Sequence, residues 1–138
     1  TVFALLREFA GYANERFEID ILSVIPAERR TADIAHLDLP AGQVIVRHLH
    51  GDYTRQADLE RIDPAGYDNV IFLSSDWLDT GEESDARTIL GYLLLRSLLP
   101  DEEAGPEVLV ELVDPANARP SMSPTIWPKV FSRGRRAW

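Results

Sequence analysis

Hydrophobic positions along this chain follow two rhythms that alternate. Residues 17–25 (FEIDILSVI) begin with Phe17, Ile19 and Ile21 set against Glu18 and Asp20, the two-residue period of a β-strand. Residues 43–49 (QVIVRHL), 70–73 (VIFL) and 107–113 (EVLVELV) are short apolar runs bounded by turn residues, and predict three further strands. Between the strands the period lengthens. Val2, Leu5, Leu6, Phe9 and Ala13 share one helical face over residues 1–14, with Gly11 weakening the helix and Asn14 placed to close it. A short polar helix is expected over 27–35 after Pro26, and another over 54–61, capped by Thr54 with Asp58 in its first turns. The longest helix is expected from about Glu82 to Leu99, with Ala86, Ile89, Leu90, Leu93, Leu94 and Ser97 at helical spacing. Leu95, Leu98 and Leu99 widen the stripe, so that most of its circumference is apolar and packs against a sheet.

Helices alternating with strands predict a parallel sheet with helices on both faces. Val70-Ile71-Phe72-Leu73 is too short for a helix and reads as an interior strand, apolar on both sides. Ser74-Ser75-Asp76 turns off its carboxyl end, and in open α/β sheets ligands bind outside the carboxyl ends of strands. Beyond Ala118 three prolines interrupt any period, so residues 120–138 read as an irregular basic tail behind a single domain over 1–119. The chain opens inside a helix with no capping residue before it, so a preceding segment is expected.

Composition narrows the function classes. A chain of 138 residues suits one domain with a real core. No stretch approaches the roughly 20 apolar residues of a membrane span; the longest, residues 89–99, is broken by Arg96 and stopped by Pro100. The absence of cysteine excludes disulfides, thiol catalysis and Cys-ligated zinc. Residues 76–114 carry eleven acids against Arg87 and Arg96, an excess of nine that equals the net charge of the whole chain, −9. Such an acidic body disfavours nucleic acid, and Lys129, Arg133, Arg135 and Arg136 in the tail are too few to reverse that.

Four segments together carry a family resemblance: Gly51-Asp52-Tyr53-Thr54, YDNVIFLSSD at 67–76, DARTILGYLLLR at 85–96 and EVLVELVDPANAR at 107–119. They resemble the cytosolic domain of CASTOR/POLLUX-type ion channels and its bacterial relatives, itself similar to regulator-of-potassium-conductance and TrkA-type modules. The joined Asp-Ala-Arg-Thr helix and Glu-Leu-x-Asp-x-x-Asn segment is the specific part; Gly-Asp-x-Thr alone is shared widely. The resemblance implies a Rossmann-like open parallel sheet that lacks its first strand, with a gap between the strands at 17–24 and 68–74. It also implies a ligand-sensing regulatory domain rather than an enzyme, coupling nucleotide or cation binding to gating. That domain would work as a homo-oligomeric gating ring on the cytoplasmic face of a membrane-embedded parent chain. Two alternatives are an NAD(P)-binding oxidoreductase fragment and a Rossmann-like protein-interaction module without a ligand.

The candidate ligand residues are Gly51, Asp52, Ser74, Ser75 and Asp76, set at strand ends where NAD or another adenine nucleotide would lie. No GxGxxG turn is present to meet a pyrophosphate, and Ser23-Val24-Ile25 carries no acid for a ribose. Asp52 and Asp76 also suit a plainer use, capping turns and helix starts. Asp76, Asp79 and Glu82 are candidate calcium ligands, a metal that gates plant members of the resembling family. Counted from Asp76 as an EF-hand loop, Gly81 falls correctly at the sixth position, but Arg87 stands at the twelfth in place of glutamate. Glu82, Glu83 and Asp85 equally favour the positive end of the helix they begin. Arg87 is expected to pair with a nearby acid such as Asp114 or Glu111, the sharper alternative being a role in subunit contact. His48 and His50 point the same way from one strand without a third zinc ligand, and no catalytic triad or carboxylate pair is visible.

Overall fold

The structure is a computed structural model that describes residues 2–12, 14–74, 78, 80–99 and 105–114. Over these residues the chain is mixed α/β and divides into two compact units, residues 2–53 and 54–114.

In the first unit β1 (Phe17–Ser23) and β2 (Val44–His50) pair in parallel, in register from Phe17 opposite Val44 to Ser23 opposite His50. The helix α2 (Ala27–Ile34) makes the crossover between them, and α1 (Val2–Ala10) precedes them. Register partners of a parallel pair share a sheet face. Phe17, Ile19, Val44 and Val46 therefore present one apolar face, onto which Val2, Leu6, Phe9 and Ile34 pack. The Phe9 and Phe17 rings lie 4.7 Å apart. On the other face Asp20 stands opposite Arg47 and takes a two-pronged contact from its guanidinium at 2.7 and 3.0 Å. The helix α1 ends at Ala10, where the Gly11 amide donates to the Arg7 and Glu8 carbonyls. Asn14 adopts a left-handed conformation (φ 73°) beyond that end instead of closing the helix itself.

The second unit runs α3 (Gln56–Arg61), a 3-10 turn (Pro64–Gly66), β3 (Asn69–Phe72), α4 (Gly81–Leu98) and β4 (Glu107–Val110). β3 and β4 pair in parallel, Asn69 opposite Glu107 through Phe72 opposite Val110. Thr54 does not cap α3. Tyr53 and Thr54 are taken up in the turn that leaves β2, which puts Arg55 at the cap position with no side-chain bond.

Among the described residues the strands pair as β1–β2 and β3–β4, two two-stranded parallel sheets with no pairing between β1 and β3. A break in the pairing at that place is what a missing first strand implies; β3, expected as an interior strand, has a single strand neighbour among the described residues. A correction concerns α4, whose inward face is not the stripe of Ala86, Leu90, Leu93 and Ser97. Its buried residues are Ser84, Asp85, Thr88, Gly91 and Leu95, whereas Ala86 is exposed and Leu90 and Leu93 are 47% and 55% exposed. At 100° per residue, Ser84, Thr88, Gly91 and Leu95 form one narrow stripe, and Ala86, Leu90, Leu93 and Ser97 form another on the opposite side. Small side chains on the inward stripe bring the helix backbone close to its neighbours α3 and β3. Leucines at 84, 88 and 91 would hold it away.

Candidate functional site

The two strand-end rims are built differently. In the first unit the ladder closes where the Gly51 amide donates to the Ser23 carbonyl at 3.0 Å. Gly51 is buried and Asp52 half-buried behind it. The Gly51 amide is therefore part of the sheet and does not face outward as a phosphate donor would. Across the same rim the Ser23 hydroxyl accepts from the Ile25 amide at 3.1 Å, turning the chain at the position where a ribose-binding acid was sought.

Behind that rim lies a residue that the sequence did not single out. Arg30, on the short polar helix α2, is 7% exposed, and its two terminal nitrogens donate to the Ile21 carbonyl (2.6 Å) and the Leu49 carbonyl (2.9 Å). The guanidinium thus ties the crossover helix to both strands. Burial lowers the Arg30 pKa from its ordinary value, because desolvation disfavours the charged form. His48 is the register partner of Ile21 and shares its sheet face. The His48 pKa is lowered as well, first by burial and then by the positive charge of Arg30. Both His48 ring nitrogens and the Arg30 Nε are buried without a hydrogen-bond partner among the described residues.

The rim of the second unit is organised by carboxylates. One oxygen of Glu111 accepts from both the Ser74 amide (3.0 Å) and the Ser74 hydroxyl (2.9 Å). Candidate Ser74 is therefore a strand-end tie to Glu111. Asp85, 1% exposed, accepts from the Val113 amide (2.7 Å) and the Asp114 amide (3.0 Å). It does not act as a solvated helix-end charge. Those amides lie past the end of β4, where a backbone N–H has no strand partner and the buried carboxylate supplies the acceptor. Thr80 opens α4 by accepting from the Glu83 amide at 3.2 Å, a cap legible in retrospect as Thr-x-x-Glu. Gly81 lets β4's continuation approach, since a Cβ there would meet Val113 Cγ1 at 2.8 Å.

Of the calcium candidates, Glu82 is exposed in the first turn of α4; Asp76 and Asp79 lie outside the described residues, as do Ser75 and the tail 120–138. Among the described residues no three His, Asp or Glu side chains converge as metal ligands would. No helix among them is long and apolar enough to cross a membrane. His48 and His50 share a face as expected, but His48 is turned inward and His50 is exposed. No protein-family model matches the chain, and no curated protein matches it either.

Proposed function

We propose that this chain is a ligand-sensing regulatory domain of an ion channel or channel-like membrane protein, held at the cytoplasmic face and assembled as a homo-oligomer. The observation that carries the reading is the Asp85 clasp. The two segments on which the family resemblance rests, DARTILGYLLLR and EVLVELVDPANAR, are joined by the Asp85 carboxylate on the Val113 and Asp114 amides. A ligand at a strand-end rim, an adenine nucleotide such as NAD or a cation such as calcium, would act by binding two conformations of the domain unequally. Calorimetry on the full chain with NAD, AMP and calcium chloride in turn, paired with light scattering, tests this. Heat with one of the three and a mass above the monomer are expected. No heat with any of them and a strict monomer at high concentration would overturn the reading.

Exposed Leu90 and Leu93 favour a second reading, a protein-interaction module that binds no small ligand. Silent calorimetry together with self-association abolished by Leu90→Ser and Leu93→Ser would support that one. The oxidoreductase alternative gains nothing from either rim, since Ser74 is engaged with Glu111 and Gly51 with the ladder.

A further inference from the structure

We propose that Arg30 and His48 form a proton-sensitive latch that holds α2 on the β1–β2 sheet: with His48 neutral the latch is closed, and protonation of His48 opens it. The inference is independent of any ligand or of the regulatory reading above. Its geometry is that of one rung. Arg30 donates to the Ile21 carbonyl at 2.6 Å and to the Leu49 carbonyl at 2.9 Å. His48 lies opposite Ile21 on the same face and is bonded in sequence to Leu49. The Phe17 amide bond to Gln43 and the Gly51 amide bond to Ser23 fix the ladder phase, in which the Ile21 and Leu49 carbonyls already accept from β2 and β1 amides. Arg30 therefore occupies second lone pairs, a contact that requires a donor and tolerates no rival cation nearby.

The donor inventory gives the direction. Arginine offers only donors, whereas a neutral imidazole carries one donor and one acceptor and an imidazolium two donors. The Arg30 Nε and both His48 nitrogens are buried without partners among the described residues. A neutral His48 leaves one acceptor among these orphaned donors; a protonated His48 leaves none and adds a second positive charge. Among the described residues no acid is bonded to either side chain. On this face β1 contributes Phe17, Ile19, Ile21 and Ser23, none of them titratable, and α1 contributes apolar residues with Arg7 and Glu8 exposed. α2 contributes Arg30, its Glu28, Arg29 and Asp33 being exposed, and β2 adds exposed His50. The next titratable groups along the chain, Asp52 and Tyr53, follow β2 in the loop.

The sign follows from linkage. A histidine whose folded pKa lies below its unfolded value of about 6.5 contributes its full stability above that value, and the contribution is lost as pH falls through it toward the folded pKa. The test uses the full chain. Ring-proton NMR titration, with the His48 resonance assigned from His48→Phe, is expected to show His48 titrating below the ordinary imidazole value. Amide exchange over residues 26–50, corrected for intrinsic rates, is expected to gain about tenfold in opening between pH 7.5 and 5 in the native chain, and nothing in His48→Phe. If His48→Phe does not fold, Arg30→Met decides, because removal of the cation must move the His48 titration upward. A His48 that titrates at or above the ordinary imidazole value, or an opening equally steep in His48→Phe, or a His48 titration unmoved by Arg30→Met, overturns the latch.

Discussion

Each half of this molecule has a two-stranded parallel sheet pinned to the helix that crosses it by one buried ion, and the two ions have opposite sign. In the first unit the ion is Arg30, donating to carbonyls of β1 and β2; in the second it is Asp85, accepting from amides past the end of β4. The difference lies in what the backbone offers. Between two paired strands the facing amides are used but each facing carbonyl keeps a second lone pair, so only a donor can be added there. Beyond a strand end the amides have lost their partners, and an acceptor is needed. The remaining packing differs to match. The first unit closes over Leu6, Phe17 and Val44, whereas α4 meets its neighbours through serine, threonine and glycine around Leu95. An ion of either sign can serve as a core residue where the main chain presents the complementary group.

Breaking each pin should measure how far that contrast extends. The largest effect is expected for Asp85→Ala, about 3 kcal/mol of stability, because two part-buried amides lose their charged acceptor at once. Asp85→Asn, which keeps one accepting oxygen, should lose about half as much. Arg30→Met should cost less, about 1 kcal/mol, since the Ile21 and Leu49 carbonyls keep their ladder bonds and an unfavourably buried cation is removed. Urea unfolding gives each total, and peptide-level amide exchange shows which unit has loosened. An Arg30→Met loss exceeding that of Asp85→Ala would refute the ladder argument. Gly81→Ala is expected to cost about 1 kcal/mol, the Cβ pressing on Val113 where it can partly yield. Thr88→Val should have the opposite sign, a gain of about 1 kcal/mol, since its fully buried hydroxyl has no partner among the described residues. Leu90→Ser and Leu93→Ser should move stability by no more than about 0.5 kcal/mol, the smallest effects of the series.

The strands were legible because β-branched runs bounded by proline and glycine have few other uses: all four appear within a few residues of their expected ends, and both pairings are parallel as the helix–strand alternation requires. The sides of α4 were not legible. Periodicity counts leucines, and in α4 Leu90 and Leu93 lie on the outer side while Leu95 lies on the inner; close approach selects Ser84, Thr88 and Gly91 for smallness and hides Asp85 behind backbone amides. Arg30 escaped for a related reason, since a basic residue on a short polar helix reads as solvated until the carbonyls beneath it are seen. Of the candidate ligand residues, Gly51 and Ser74 sit at strand ends as the chain order implied. Sequence spacing cannot reveal that the sheet and Glu111 already use their hydrogen-bonding groups.

The outward stripe of α4 has an evolutionary corollary. Side chains at 86, 90, 93 and 97 take little part in holding the helix down, so they can be exchanged for charged, bulky or aromatic ones with scarcely any change in foldedness. Whatever acts on the sociability of this surface is thus uncoupled from whatever acts on its architecture, and a lineage can rewrite one script while leaving the other untouched.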